Sequence, residues 1–290
     1  WLECDASLTK SMELICRHGA CDLAFTTDII ANHPDLHSRC SKPWEPGSGK
    51  PAVCCTYDFT LDELGKLCSV MESVANASAE TAAGYLLGAP SFRSSAIADE
   101  ECHRLVSHKA YLELIKSNGY KAIPELKDTM EPGLVDFLTS QNKSIYWLAD
   151  KFADELMKQF DARTGVAQTF DYRIAAYWKT THEAMSVEYM WKTAPEAGQN
   201  CTMKHGKPDL GDCGGKAILE YLNGLGVDMF SPPIDILVTN GPRRTVVPSS
   251  TANELNAMRV KSIGSWVLER QSCDAQMTWQ IQEAMIAPCG

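Results

Sequence analysis

The opening residues Trp1–Lys10 alternate, with Leu2 and Cys4 on one side and Glu3 and Asp5 on the other, which predicts a strand. Residues 25–57 lose any period and carry four prolines and three cysteines, which reads as a stapled surface loop. Thr60-Leu61-Asp62-Glu63 is a capping box, and Leu61, Leu64, Cys68 and Met71 continue at helical spacing. Residues 75–100 are small and polar, a second surface excursion. A helix is expected from Arg104 to Lys116, with Leu105, Leu112 and Ile115 inward and Gly119 ending it.

A rhythm then sets in. Strands are expected near 120–126, 166–170, 186–190, 226–231 and 261–268. Helices are expected near 144–160, 171–181, 214–224 and 250–258, the first with Ile145, Leu148, Phe152, Leu156 and Phe160 on one face. Alternating strands and helices mean βα units around a parallel sheet. Counting the opening strand there are six, whereas a TIM (β/α)8 barrel has eight. A doubly wound sheet is the alternative, but no G-x-G-x-x-G or P-loop follows any strand. The expected fold class is therefore α/β, a TIM barrel whose first strand lies ahead of Trp1 and whose closing strand lies after Gly290. It would be a single domain over residues 1–290 with a Cys-rich insertion at about 25–118.

Composition narrows the chemistry. At 290 residues, 44% hydrophobic and 22% charged, the chain can bury a sizeable core. Its net charge of −10 argues against a nucleic-acid partner, whose phosphates it would repel. An acidic protein that handles a phosphate needs local positive charge, from a metal or from a few Lys and Arg. No apolar run reaches the ~18 residues of a membrane span. The twelve cysteines are even in number and contain no C-x-x-C pair, so disulfides of an oxidising compartment are expected rather than zinc. The sequons Asn76-Ala-Ser78, Asn142-Lys-Ser144 and Asn200-Cys-Thr202 agree with an extracellular glycoprotein, whose leader would have been removed ahead of Trp1.

Two adjacent carboxylates repel unless a cation lies between them, so Glu3 and Asp5 call for a divalent, oxygen-loving ion such as Ca²⁺ or Mg²⁺. Cys16-Arg17-His18 offers a histidine for proton transfer, and Pro124-Glu125-Leu126-Lys127 sets a carboxylate and an ammonium on one strand face. Barrel active sites sit at the C-terminal ends of strands, where Glu3, Asp5, Glu125, Lys127, Gln168, Phe170, Trp266 and Glu269 are expected.

Taken together, the motifs resemble the glycerophosphodiester phosphodiesterases, a family of the phospholipase-C-like phosphodiesterase superfamily, in a secreted microbial branch. The matching stretches are Leu2–Asp5 with Leu8–Lys10, Leu14–His18, Thr27–Ile29, Asp58–Leu64, Pro124–Lys127, Gln168–Phe170 and Trp266–Arg270. The resemblance implies a metal-dependent hydrolase that cleaves a glycerophosphodiester to glycerol 3-phosphate and an alcohol. It implies that Glu3, Asp5 and Glu125 hold one divalent cation, Ca²⁺ or Mg²⁺, and that His18 is one of two catalytic histidines. It implies that Lys127 binds phosphate, that Gln168 and Phe170 line the pocket, and that Trp266 offers an apolar wall. Lys127 also suits a satisfied rim residue, and Trp266 a core position.

The family's opening His-Arg motif and the Glu that follows it have no counterpart here. Cys102-His103-Arg104 lies in an expected helix, in the wrong place for them. The other histidines, His33, His37, His108, His182 and His205, have no motif around them. The expectation is a piece of a complete enzyme, close to inactive by itself. A phospholipase-D-like hydrolase of sphingolipid or lysolipid substrates, or a non-catalytic secreted homologue, are the alternatives.

Overall fold

The computed structural model describes residues 1–70, 73–88, 102–191, 203–204, 207–208, 216–242 and 245–265. The chain divides into two compact units, residues 1–165 and 166–290.

In the first unit, β1 (Asp5–Leu8) and β2 (Leu14–Cys16) pair antiparallel, with Ala6 opposite Cys16. Three four-residue helices follow, α1 (Leu23–Thr26), α2 (Ile29–Asn32) and α3 (Pro34–His37). Next come α4 (Leu61–Leu64), the short antiparallel pair β3 (Cys68–Ser69) and β4 (His103–Arg104), and α5 (His108–Ser117). The unit continues with β5 (Glu125–Leu126), α6 (Pro132–Ser140) and α7 (Ile145–Met157). β5 runs parallel to β1 on the side away from β2. Ala6, Ser7 and Leu8 are all buried, as in a parallel-type sheet covered on both faces.

The helix beginnings follow the local chemistry. Thr60 Oγ1 accepts from the Glu63 amide at 3.3 Å while Glu63 Oε2 accepts from the Thr60 amide at 2.9 Å, the expected capping box. Ser144 caps α7, which buries Leu148, Ala149, Phe152, Ala153 and Leu156 along one face. Two expectations need correction. The helix starting at Leu61 stops at Leu64, and Cys68 belongs to β3, where a disulfide to Cys102 and pairing with Arg104 override the helical spacing. The helix expected from Arg104 begins at His108, where Ser107 Oγ accepts from the Ala110 amide at 3.1 Å, so Arg104 lies in a strand. Helix α6 lies outside the expected elements, although Pro132 behind Glu131 is a start signal.

The insertion is also more than a surface loop. Ile29, Ile30, Leu36, Trp44, Phe59, Leu67 and Tyr85 are buried in a core of their own. The Trp44 ring meets Tyr85 edge-on at 5.1 Å, and Trp44 Nε1 donates to the Ala77 carbonyl at 3.0 Å. Disulfides Cys40–Cys54 and Cys21–Cys55 tie this small core together, the role given to such links in domains too short to bury much area.

The second unit contains β6 (Val166–Thr169), α8 (Tyr172–Thr181), β7 (Ser186–Met190), β8 (Met203–Lys204) and β9 (Lys207–Pro208). After them come α9 (Lys216–Gly224), β10 (Met229–Ser231), α10 (Ile234–Leu237), β11 (Val238–Asn240), β12 (Val246–Pro248) and α11 (Ser250–Ala257). β6, β7 and β10 run parallel, with Gln168 and Met229 both registered on Glu188. Of the strand expected near 261–268, Ile263 bridges Phe230 in parallel, and residues beyond 265 lie outside the described ones. The hairpins β8–β9 and β11–β12 add to the expected elements.

The fold is thus α/β, assembled from the βα units that build TIM barrels and carrying a Cys-rich insertion. Among the described residues five strands stand in parallel pairs, against eight in a full barrel. No helix among the described residues is long and apolar enough to cross a membrane.

Candidate active site

The register of β1 on β5 builds the site. Asp5 stands opposite Glu125, held by the Glu125 amide on the Cys4 carbonyl and the Lys127 amide on the Ala6 carbonyl, each at 3.0 Å. Strand alternation puts Glu3 on the Asp5 side, and one oxygen each of Glu3, Asp5 and Glu125 lie within 4.8 Å of one another. Lys127 reaches the same place, its Nζ 2.7 Å from Glu125 Oε2 and 3.3 Å from Asp5 Oδ1.

Three carboxylates facing one ammonium leave negative charge in excess. Burial, followed by the neighbouring charges of Asp5 and Glu3, pushes the Glu125 carboxyl up to about 8 in spite of Lys127. Burial works against the Lys127 ammonium, but Glu125 and Asp5 outweigh it and raise its pKa above the usual lysine range. Hard oxygen donors grouped this closely fit Ca²⁺ or Mg²⁺, and a divalent charge would offset the burial and the repulsion that together hold a proton on Glu125.

The second motif is fastened to the first. β2 ends at Cys16, and the Arg17 amide donates to the Asp5 carbonyl at 2.6 Å. A disulfide joins Cys4, between Glu3 and Asp5, to Cys16, just before Arg17-His18. Arg17 is turned to Asp22 at 3.2 Å, and the Gly19 amide donates to the same carboxylate. Burial raises the Asp22 pKa against the pull of Arg17. His18 is exposed at the mouth of a cavity of about 540 Å³, also lined by Arg17, Phe25, Val70, Asp128 and Glu131.

Opening the Cys4–Cys16 link should therefore loosen both motifs at once. In a C4S/C16S double variant, stability is expected to fall by about 3 kcal/mol, the loop-entropy scale for a short closed loop. Affinity for divalent ions should fall as well, which isothermal titration would detect. An unchanged affinity would mean that the strands alone hold the carboxylates.

Gln168 and Phe170 lie in the second unit, where Gln168 Nε2 donates to Glu188 Oε2 at 2.8 Å and both side chains are buried. Burial raises the Glu188 pKa against its bonds from Ser231 and Gln168. Glu188 has no motif around it, although a lone acid inside the apolar run Ser186–Met190 is a signal for it. His103 is exposed on β4, not on a helix. Trp266 and Glu269 lie outside the described residues.

No protein-family model matches the chain. A curated relative described as "Extracellular protein", from Arthroderma benhamiae, is 26% identical over 201 residues, spanning 67% of this chain and 74% of the relative. Many similar solved structures are glycerophosphodiester phosphodiesterases. One from Silicibacter pomeroyi, assigned as a glycerophosphoryl diester phosphodiesterase, is 12% identical at a TM-score of 0.49, with 91% of this chain and 79% of that one covered. An Oleispira antarctica phosphodiesterase, solved in complex with the product sn-glycerol-3-phosphate, is 14% identical at a TM-score of 0.46, with 91% and 80% covered. A glycerophosphodiester phosphodiesterase from Parabacteroides distasonis is 13% identical at a TM-score of 0.41, with 91% and 78% covered.

Proposed function

We propose that this chain is a metal-dependent glycerophosphodiester phosphodiesterase of the extracellular space. The observation that carries the reading is the convergence of Glu3, Asp5 and Glu125 with Lys127, joined by a disulfide and a backbone hydrogen bond to the Arg17-His18 turn. A diester substrate is an anion with a charged phosphoryl oxygen and an alkoxide leaving group. It needs positive charge at phosphorus and a group that moves protons, and these residues answer both needs.

Glu3, Asp5 and Glu125 would hold one Ca²⁺ or Mg²⁺, which when bound supplies Lewis-acid polarisation of a phosphoryl oxygen. Lys127 adds a point charge for the phosphate. The exposed imidazole of His18 takes up or delivers a proton, the task of a general acid–base side chain. Gln168, Phe170 and Trp266 keep the substrate-contacting roles that the resemblance implies. Four disulfides among the described cysteines suit an oxidising compartment, in keeping with the extracellular relative.

The test is an assay of the purified full-length protein on glycerophosphodiesters, with release of glycerol 3-phosphate as the readout. Turnover is expected with added Ca²⁺ or Mg²⁺ and should vanish with a chelator. Turnover of sphingomyelin or lysophospholipid alone would instead favour the phospholipase-D-like alternative. Metal binding with no turnover of any diester would identify a non-catalytic homologue.

A further inference from the structure

The sequon Asn142-Lys143-Ser144 plays no part in the metal or proton chemistry, and it forms the link between helices α6 and α7. After α6 the Asn142 amide donates to the Thr139 carbonyl at 3.0 Å and the Lys143 amide to the Leu138 carbonyl at 2.8 Å. That pair of bonds is a Schellman ending, and it places Asn142 in the left-handed region, at φ 54°. Ser144 is already the N-cap of α7, its Oγ accepting from the Trp147 amide at 3.3 Å. Backbone bonds and one cap therefore hold the tripeptide, and every residue from Thr139 to Ser144 is exposed.

The turn itself does not require the Asn142 side chain. Glycine takes a positive φ without steric cost, and asparagine is tolerated there because its short polar side chain can bond locally. The Asn142 carboxamide makes no such bond among the described residues and stands in water at the tip of the link. Its free carboxamide nitrogen is the atom that an N-x-[ST] acceptor supplies.

Asn76-Ala77-Ser78 has other surroundings. Asn76 is half-buried, its amide donating to the Tyr85 carbonyl at 2.6 Å and its carbonyl accepting from the Ala79 amide at 3.1 Å. The Ala77 carbonyl takes the Trp44 indole N–H, so this stretch lies on the small core of the insertion, where a branched sugar would compete with the packing. Asn200 lies outside the described residues.

We propose that Asn142 carries an N-linked glycan in the exported protein. In the transfer, Asn142 Nδ2 bonds to the anomeric carbon of a lipid-linked diphosphate oligosaccharide. The C–O bond to the diphosphate breaks and takes its electron pair, and the amide proton passes to a base of the transferase. Nothing is oxidised or reduced. The four disulfides suit the oxidising compartment through which such a chain would pass. This site rests on the extracellular reading and not on phosphodiester chemistry.

The experiment secretes the full-length protein from a eukaryotic host and maps its peptides after peptide N-glycosidase treatment in heavy-oxygen water, which turns each glycosylated Asn into a labelled Asp. Label is expected at position 142. It should be lost in Asn142→Gly, which suits the positive φ, and in Ser144→Asp, which keeps a capping side chain for α7. It should be retained in Ser144→Thr, which keeps both the cap and the sequon. Label lost in Ser144→Thr as well, or an unlabelled Asn142 in exported wild-type protein, including one labelled at Asn76 alone, would overturn the site while leaving the extracellular reading intact. Failure of export would overturn both. Label at Asn142 in a protein that hydrolyses no diester would sustain the site and count against the phosphodiesterase reading alone.

Discussion

Glu125→Gln is expected to abolish the stabilisation that calcium or magnesium gives the wild-type protein and to lower phosphodiester turnover by ~10²–10³-fold, the scale for losing one preorganised electrostatic partner. The side chain is almost fully buried among Asp5, Glu3 and Lys127, so its charge is tolerated poorly without a metal. An unfolded glutamate loses its proton near 4.5, whereas the folded one keeps it to about 8. Between these values the folded state binds more protons, so the stability due to this group is present below about 4.5 and is lost as pH rises through about 8.

Thermal unfolding in chelator should accordingly show wild type weakening across that window, and the Gln variant should flatten this part of the slope. Metal at about 100 times its Kd should restore ~2.7 kcal/mol to wild type. Its affinity should rise with pH, because the ion displaces the Glu125 proton. An equal metal shift in the Gln variant would place the ion elsewhere.

His18→Ala is expected to cost ~10²-fold or more in turnover, the usual contribution of one general acid–base group. Its stability should stay within about 0.5 kcal/mol of wild type, since His18 is exposed, and the metal-induced shift in unfolding temperature should persist. That combination separates proton transfer from scaffold. Full turnover in His18→Ala would show that the exposed imidazole does not serve the reaction, while a lost metal response would make it part of the ion's site.

Much of the site is legible in the amino-acid sequence because the relevant physics is local. Alternation along an extended chain is enough to put Glu3 and Asp5 on one face, and a lysine two residues after Glu125 must share its side of a strand. The role of the Cys102-His103-Arg104 stretch is less legible. Leu105, Leu112 and Ile115 suit a helix beginning at Arg104, but the β3–β4 pair and the Cys68–Cys102 disulfide hold Arg104 extended. Asp128, Glu131 and Glu188 carry no motif, and their interest arises from what surrounds them once folded.

The sequence alone determined the elements with strong periodicity or caps. Helix α7 has its apolar face from Leu148 to Leu156, β7 spans Ser186–Met190 as expected, and Thr60 and Glu63 begin α4. It also led to the expectation of disulfides, through an even set of cysteines without metal spacing, and four are present among the described residues. Only the tertiary structure decided which partners meet. Asp5 faces Glu125 because β1 and β5 pair in one register, Cys4 chose Cys16 among many possible partners, and the irregular apolar residues of the insertion closed around Trp44 and Tyr85. Strand register, disulfide connectivity and non-periodic packing depend on residues far apart along the chain, and spacing along a single segment holds no record of them.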